Sequence, residues 1–313
     1  MHRFFAPDIA TTLALPEEES RHCTRVLRLV EGDEIEVIDG AGTLYHCSIA
    51  MAHNKHCAVE IVAQEQCPPH WGAKIAIAVA PTKNLDRIEW MAEKCTEMGI
   101  DRITPLLCRH SERKVLKTER LHKIMVAAMK QSLKAQLPQL DELTPVTQVI
   151  GEESGAQRFI AYCDESLPRS ERKSLAQVYD PGRDAVVLIG PEGDFDPQEV
   201  EAALKAGFVP VTLGDSRLRT ETAAIMAVAT MHTIKLSVKC KVLSVKYRLR
   251  REDRESWIED RGFVGTQPAV SISGIQNMEY PEKPLNYSTI LLFNYSTIQL
   301  FNYSTPAPLC HIH

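Results

Sequence analysis

The chain has 313 residues, of which 44% are hydrophobic and 25% are charged, with a net charge of −5. This composition is typical of a globular protein of one or two domains and excludes an overall basic surface. No stretch approaches the roughly 18 apolar residues of a membrane span, and the amino terminus lacks a signal-peptide pattern, so we expect no membrane association. Nine scattered cysteines without a CxxC pair predict reduced thiols and a cytoplasmic location. The eleven histidines lack a ligand spacing, so no metal site is expected.

The first part of the chain, residues 1–68, is predicted to form a small β-rich domain. Apolar and polar residues alternate up to Asp39-Gly40, which is a hairpin-type turn signal. The two prolines in the stretch of residues 67–70 stiffen the chain and indicate a linker. The predicted elements are strands over residues 33–39, 44–50 and 58–62 and a helix over residues 17–27.

Residues 71–235 follow a different pattern, in which strands alternate with helices. This order predicts a mostly parallel sheet with helices on both faces, and therefore an α/β domain. Asn84 can cap one helix and Gly99 can end it, while Asp196 and Glu199 form a capping-box pattern around another. The predicted strands are residues 74–80, 102–108, 158–163 and 185–189, and the predicted helices begin near residues 85, 119, 175 and 197.

The periodic pattern ends near residue 235, and the remainder is low in complexity. The motif Asn-Tyr-Ser-Thr occurs three times, at Asn286, Asn294 and Asn302. A spacing of eight residues is too short for a solenoid repeat. We therefore expect residues 236–313 to be a disordered tail without a part in the chemistry.

Two apolar runs end in glycine turns, and each is followed by a helix. The first run, residues 185–189, ends in Gly190-Pro191-Glu192-Gly193, and the second ends in Leu213-Gly214. The polar loop of residues 215–222 then opens another helix. Because α/β proteins bind ligands at the carboxyl ends of their strands, and because glycine allows close approach, this region predicts a ligand site.

A local excess of positive charge lies between residues 109 and 134, which include the second helix of the α/β part. The residues that form this basic strip are Arg109, Arg113, Lys114, Lys117, Arg120, Lys123, Lys130 and Lys134, against two acidic residues, Glu112 and Glu119. The strip is compatible with contact to phosphates and equally with a solvated helix face.

Motifs at three places in the chain, in this order and spacing, resemble one protein family. The carboxyl-terminal motifs are residues 188–193, Leu213-Gly214 and residues 218–223. The supporting matches are Lys83, residues 93–99, Pro105, Arg109, Ser111, Gln131-Ser132 and Pro138. The amino-terminal matches are Arg21-His22, residues 25–28 and Gly32-Asp33. Over about residues 1–235 the chain resembles the RsmE family of ribosomal RNA methyltransferases, which belong to the SPOUT superfamily. These enzymes methylate N3 of a uridine in 16S ribosomal RNA of the small subunit with S-adenosylmethionine.

The resemblance implies a PUA-like β-barrel domain followed by a SPOUT-type parallel sheet with a carboxyl-terminal trefoil knot. It also implies a homodimer with the site near its interface, and S-adenosylmethionine as cofactor. The implied cofactor-binding residues are Leu188, Gly190, Pro191, Glu192, Gly193, Leu213, Gly214, Leu218, Thr220 and Ala223.

The implied reaction requires that a uridine N3 lose its proton, because the imide nitrogen is a good nucleophile only then. Arg109 and Arg219 are candidates to stabilise the negative charge, and Glu221 is a candidate base. The alternative for Glu221 is a first-turn carboxylate that complements a helix dipole. The candidate RNA-binding residues are Arg21, His22, Arg25, Arg28, Lys83, Arg113 and Lys134.

The chain departs from the family pattern at two places. Lys134 stands where many members have arginine, and Ser216-Arg217 stand where members often have Arg-Ile; lysine keeps the charge but loses the bidentate fork. Two other functions stay open at this point. One is another SPOUT RNA methyltransferase, which acts on a ribose 2′-hydroxyl of transfer or ribosomal RNA. The other is a non-catalytic RNA-binding factor in ribosome assembly.

Overall fold

A computed structural model describes residues 2–69, 72–152, 155–162 and 173–238 of the chain. The predicted tail lies outside the described residues from position 239 onward. Residues 236–238, which the sequence pattern assigns to the tail, are helical.

The amino-terminal residues form a four-stranded sheet of order β1-β2-β3-β4, in which β1 is parallel to β2 and the other pairs are antiparallel. Its strands are β1 (Arg3–Phe5), β2 (Glu34–Ile38), β3 (Thr43–Met51) and β4 (Ala58–Gln66). The three strands predicted from the alternating pattern are confirmed, and β4 extends further than predicted. Phe4, Ile9 and Ile35 are fully buried and form the centre of a core under this sheet.

Two short helices precede β2, namely α1 (Ile9–Thr12) and α2 (Glu17–Arg21). The single helix predicted over residues 17–27 is present but changes its geometry after Arg21, because His22–Val26 forms a π-helical turn. In this turn the backbone N–H of Leu27 donates to the carbonyl of His22 at 3.0 Å. π-helical turns are rare and often mark functional positions.

The second sheet has seven strands and is parallel throughout, which confirms the predicted α/β class. The order is β11-β9-β10-β5-β6-β7, with β8 paired to β6. Its strands are β5 (Ile75–Val79), β6 (Arg102–Leu107), β7 (Gln139–Leu140), β8 (Thr144–Pro145), β9 (Gln157–Ala161), β10 (Ala185–Ile189) and β11 (Val209–Val211). Successive residues of β10 enter two different core clusters, with Val187 and Ile189 in one and Leu188 in the other, so both faces of this strand are covered, and this explains its uninterrupted apolar run.

The helices of this part are α3 (Leu85–Met98), α4 (Thr118–Gln131), α5 (Val146–Gly151), α6 (Leu175–Val178), α7 (Pro197–Lys205) and α8 (residues 220–238). The predicted caps are confirmed. The Asn84 side chain accepts a bond from the backbone N–H of Asp86, Gly99 ends α3 with φ of 88°, and Asp196 forms a capping box with Glu199. Among the described residues, no helix is long and apolar enough to cross a bilayer.

The helices α3 and α8 run side by side in the same direction. At their first turns, Arg87 Nη1 lies 3.5 Å from Glu221 Oε1, and at their ends His232 Nδ1 lies 2.9 Å from the carbonyl of Met98. The buried Lys235 ammonium donates to the carbonyl of Ala73 before β5. The helix α8 is therefore held against both ends of α3 and against the residues before β5.

The Asp141 carboxylate, which directly follows β7, connects this strand to the neighbouring strand β6. Asp141 accepts hydrogen bonds from Arg102 Nε at 2.6 Å, from the Thr104 hydroxyl, and from Gln139 Nε2 at 2.8 Å. Burial raises the pKa of Asp141, but the hydrogen bonds from Thr104, Arg102 and Gln139 outweigh burial and leave the pKa below its ordinary value.

We predict that Asp141→Asn lowers the free energy of unfolding at pH 7 by about 1–3 kcal/mol, because a hydrogen-bonded charge is lost. A carboxyl with a lowered folded-state pKa stabilises the protein above its ordinary pKa of about 4, and this stabilisation is lost as pH falls through the folded-state value. Urea unfolding should therefore show a difference between variant and wild type that is full at pH 7 and shrinks in acid. A difference that is independent of pH would contradict this role.

Candidate active site at the carboxyl edge of the sheet

The two glycine bends predicted from the sequence lie on one cleft of about 720 Å³. They meet because β10 and β11 both flank β9 in the same direction, so that their carboxyl ends share one edge of the sheet. The cleft lies between the bend of residues 190–194 and the segment of residues 212–220. The central expectation from the sequence, a common cavity for both bends, is confirmed.

The first bend is shaped by close packing at Gly190. A Cβ atom at this position would lie 3.0 Å from a ring carbon of Phe195 and 3.3 Å from its backbone nitrogen, so a side chain here would require Phe195 or the bend to move by a few tenths of an ångström. The backbone N–H of Asp194 donates to the carbonyl of Pro191 at 2.9 Å and closes the turn. The Thr220 hydroxyl donates to the carbonyl of Gly190 at 3.0 Å, which connects the start of α8 to this bend.

The second bend opens into an exposed polar segment. The Thr212 hydroxyl donates to the carbonyl of Gly214 at 2.8 Å, and Gly214 has φ of 136°, a conformation that favours glycine. Arg217 and Arg219 follow on this segment, and both are exposed and line the cleft. The second segment thus brings two exposed arginine side chains to the wall of the cleft.

Eight of the ten predicted cofactor-binding residues line the cleft: Gly190, Pro191, Glu192, Leu213, Gly214, Leu218, Thr220 and Ala223. The other two do not. Leu188 is fully buried and packs in the core with Leu106 and Phe195, because it lies within a strand that is covered on both faces. Gly193 faces the other way, where its nearest neighbour is the Cβ of His110.

Of the three candidate catalytic residues, Arg219 alone lines the cleft. Arg109 lies against the start of α7, with Nη1 3.4 Å from Asp196 Oδ2 and its backbone N–H donating to Glu199 Oε1 at 2.8 Å. The prediction that Arg109 contacts the reacting base is therefore not supported, because its loop docks on a helix N-terminus instead.

The Glu221 carboxylate is turned toward α3 and lies outside the cleft. Its side chain is 7% exposed, Oε1 pairs with Arg87, and Oε2 has no hydrogen-bond partner among the described residues. The physical reason is helical phase: Thr220 and Ala223, three residues apart, face the cleft, and the residue after Thr220 points elsewhere. The predicted role of Glu221 as base is thus corrected, and the alternative of a first-turn carboxylate agrees with its position.

The candidate RNA-binding residues fall into two groups. Arg21, His22, Arg25 and Arg28 are exposed on and beside the π-helical turn, and Arg21 also pairs with Glu17 at 2.9 Å. Lys83, Arg113 and Lys134 lie in loops of the second domain, and each contacts another group of the protein.

The contacts of this second group are structural. Arg113 donates to the carbonyls of Thr82 and Lys83, and Lys83 Nζ lies 3.2 Å from Glu112. Lys134 is turned inward, where Nζ donates to the carbonyl of Glu97 at 2.6 Å, and burial lowers the pKa of this ammonium. This placement argues against a contact between Lys134 and an RNA phosphate.

Most of the basic strip has partners within the protein. The six strip residues that bond to described groups are Arg109, Arg113, Arg120, Lys123, Lys130 and Lys134. Only Lys114 and Lys117 have no ion pair or side-chain hydrogen bond within the described ranges. The interpretation of the strip as an RNA-binding face therefore stays a prediction, for which Lys114 and Lys117 are the residues without such contacts.

Several residues of the cleft were missed by the sequence reasoning. Tyr162 follows β9, and Asp194, Asp215 and Arg217 belong to the two bends. The order of the strands could have indicated these residues, because any residue just after a strand near β10 lies at the same edge of the sheet. Within the described ranges, no three His, Cys, Asp or Glu side chains cluster as a metal site would require.

Comparison with known proteins agrees with the class that this fold and cleft define. Residues 69–232 match the family model of an RNA methyltransferase domain, and residues 15–62 match that of an RNA methyltransferase PUA domain. The fold and site are therefore those of an RNA methyltransferase with an amino-terminal PUA domain.

Individual relatives indicate which family within this class the chain belongs to. A probable rRNA-methyltransferase from Porphyromonas gingivalis, known from its crystal structure, is 44% identical, covers 76% of this chain and 100% of that one, and has a TM-score of 0.72. A ribosomal RNA small subunit methyltransferase E from Neisseria gonorrhoeae, bound to S-adenosyl methionine, is 25% identical over 75% of this chain and 98% of that one, with a TM-score of 0.65. The protein of the same name from Synechocystis is 28% identical and covers 72% of this chain and 74% of its own length. The chain belongs to the RsmE family of RNA methyltransferases, and the resemblance stated from its motifs is confirmed.

We predict that Gly190→Ala lowers the free energy of unfolding by about 1–3 kcal/mol, because the added methyl group overlaps the Phe195 ring and the bend must shift. Gly193→Ala is the matched control in the same bend, since its Cβ would meet only the Cβ of His110 at 3.4 Å. The control should stay within about 0.5 kcal/mol of wild type in urea unfolding. Equal losses in both variants would show that the bend does not depend on the packing at Gly190.

Proposed function

We propose that the chain transfers a methyl group from S-adenosylmethionine to N3 of a uridine in 16S ribosomal RNA of the small ribosomal subunit. The observation that carries this proposal is the cleft formed by the two glycine bends, which contains most residues of the carboxyl-terminal family motifs. The names of the relatives support the RNA substrate, and the bound cofactor in the structures from Neisseria gonorrhoeae and Legionella pneumophila supports the methyl donor.

The residues of the cleft fit this cofactor chemically. S-adenosylmethionine carries a sulfonium and an ammonium group, and the carboxylates of Glu192, Asp194 and Asp215 line the cleft. Leu213 and Leu218 provide apolar surface for a purine, and the glycine bends expose backbone groups to it. When bound, the cofactor supplies a methyl group on a positively charged sulfur.

The chain's own contribution to the reaction is to position the uridine and to handle its N3 proton. As the proton leaves, negative charge spreads onto O2 and O4 of the base, and a nearby guanidinium stabilises it. Arg217 and Arg219 both line the cleft and are exposed, and we assign this task to Arg219 because it belongs to the family motif of residues 218–223. With Glu221 turned away, the carboxylates on the cleft wall are the candidates to accept the proton, and Glu192 is the most exposed of those in the first bend.

The RNA must be presented with the target base free, because N3 is covered in a Watson–Crick pair. The exposed arginines beside the π-helical turn are Arg21, Arg25 and Arg28, and their guanidinium groups suit phosphate contacts. We propose that the amino-terminal domain holds the RNA backbone while the cleft holds the cofactor and the target base.

We also propose that the chain acts as a homodimer. The adjacent helices α3 and α8 expose large apolar side chains, among them Trp90 (48% exposed) and Met226 (41% exposed). Exposed apolar groups of this size on neighbouring helices are typical of protein–protein contacts. Light scattering should give twice the 35.1 kDa mass of one chain, and a monomer at micromolar concentration would contradict the proposal.

A cytoplasmic location is part of the proposal, because ribosomal RNA is modified there and the thiols are reduced. The six cysteines in the described ranges are free: Cys23, Cys47, Cys57, Cys67, Cys95 and Cys108. Cell fractionation that finds the protein outside the cytoplasm would contradict it.

The test of the reaction is methylation of purified small ribosomal subunits by the full chain with a cofactor that carries a labelled methyl group. The label is expected in 16S RNA as 3-methyluridine, identified by digestion and mass spectrometry. Label in a ribose 2′-hydroxyl, or in transfer RNA alone, would favour another SPOUT methyltransferase. Cofactor binding without methylation of any RNA would favour the assembly factor.

We predict that Arg219→Ala lowers kcat for small-subunit methylation by about 100-fold or more, because a cation that stabilises the developing negative charge is lost. Arg109→Ala is the matched control, because this guanidinium contacts α7 and lies outside the cleft. The control should keep kcat within about threefold of wild type. Similar losses in the two variants would contradict the assignment of Arg219.

A further inference from the structure

The amino-terminal sheet and the second sheet are joined along one side of α4. Backbone hydrogen bonds run from Gly42 N–H to the carbonyl of Ala135 at 3.1 Å and from Leu137 N–H to the carbonyl of Gly40 at 2.9 Å. A small apolar cluster that includes Ile38, at the end of β2, fills the space beside these bonds. These contacts hold the turn after β2 against the end of α4.

An ion pair connects another part of the amino-terminal domain to the same helix. Lys130 Nζ lies 2.5 Å from Glu19 Oε1, and the two side chains are only 23% and 13% exposed. The second oxygen, Glu19 Oε2, is buried and has no hydrogen bond to any described group. Lys130 is thus the one side chain among the described residues that compensates this carboxylate, which distinguishes the pair from an ordinary surface ion pair.

The position of Glu19 in the chain shows which segment the ion pair holds in place. It lies in α2, directly before Ser20, whose hydroxyl donates to the carbonyl of Leu15 and accepts from the N–H of Cys57. The next residues are Arg21 and the π-helical turn that contains Arg25. Residues 21–28, with Arg21, Arg25 and Arg28, are called the arginine-bearing segment. The ion pair therefore lies directly before this segment.

We propose that the Lys130–Glu19 ion pair is a positioning contact, which fixes the arginine-bearing segment relative to α4 and, through α3, to the start of α8 at the cleft. The proposal rests on the proposed function, in which RNA is held by that segment and methylated in the cleft. Two connected binding sites reinforce each other only when their separation matches the span of the ligand, and a rigid connection maintains that separation.

A second ion pair between the same two helices provides a matched control. Lys123 Nζ lies 3.0 Å from Glu18 Oε2, but these side chains are 67% and 78% exposed. Exposed pairs contribute little because water and salt screen them. Charge reversal at Lys123 changes the net charge of the helix by the same amount as reversal at Lys130, so it separates positioning from a general electrostatic effect on RNA.

The experiment compares Lys130→Glu, Glu19→Lys, their double charge swap, the neutral Lys130→Gln and the control Lys123→Glu. The readouts are kcat/KM for small ribosomal subunits, the Kd for S-adenosylmethionine by calorimetry, and binding of a labelled 16S RNA fragment. The single changes at the buried pair are expected to lower kcat/KM by about tenfold or more, with the cofactor Kd within about twofold of wild type. The double swap should recover most of the loss, and Lys123→Glu should differ little from wild type.

Three results would overturn the proposal: single variants with normal kcat/KM, a double swap that recovers nothing, or a control that loses as much as Lys130→Glu. A parallel loss of cofactor affinity would also overturn it, because the cleft itself would then be damaged. Wild-type protein that binds the RNA fragment and the cofactor without methylation would refute the proposed reaction, while the fragment affinities of the variants would still decide the role of the ion pair. Wild-type protein without affinity for the RNA would refute both.

Discussion

The structure depends on the parallel pairing of β10 with β5 on one side and β9 on the other. This pairing satisfies both edges of the strand and places its carboxyl end, before Gly190, in the middle of one edge of the sheet, while two core clusters cover its faces. A side chain at Gly190 would crowd the Phe195 ring, so the bend packs tightest with glycine at this position. The bend of β11 reaches the same edge across β9, and the Thr220 hydroxyl connects α8 to the carbonyl of Gly190. The cleft is a consequence of these contacts.

Positive charge in the chain has two separate uses. Along α4 it holds parts of the protein together, through contacts such as Lys130 with Glu19 and Lys134 with the carbonyl of Glu97. Beside the π-helical turn it is exposed, at Arg25 and Arg28. A count of basic residues cannot separate these uses, because the partners of α4 come from residues more than 30 positions away. The net charge of −5 is consistent with this arrangement, since the exposed arginines form a local surface on an otherwise acidic protein.

The sequence predicted the longer strands and helices and the shared cleft, because these follow from local signals. The apolar run of β10, the cap at Asn84 and the glycine at position 190 each specify their own structure. The short edge strands β7 and β8 were missed, since two residues carry no periodicity. The orientation of Lys134 was also missed, because a lysine can point to water or inward with the same local pattern. The trefoil knot stays a prediction, because threading is a property of the whole chain path.

The correction at Glu221 separates two kinds of information in a motif. Glu221 lies between Thr220 and Ala223 in the family motif, and membership in the motif suggested a catalytic carboxylate. A helix, however, turns about 100° per residue, so neighbours in a motif face different surroundings. Thr220 and Ala223 face the cleft, whereas Glu221 faces Arg87 on α3. A residue of such a motif can therefore serve the packing of the helix that carries the site, and its chemical type alone does not assign it to the reaction.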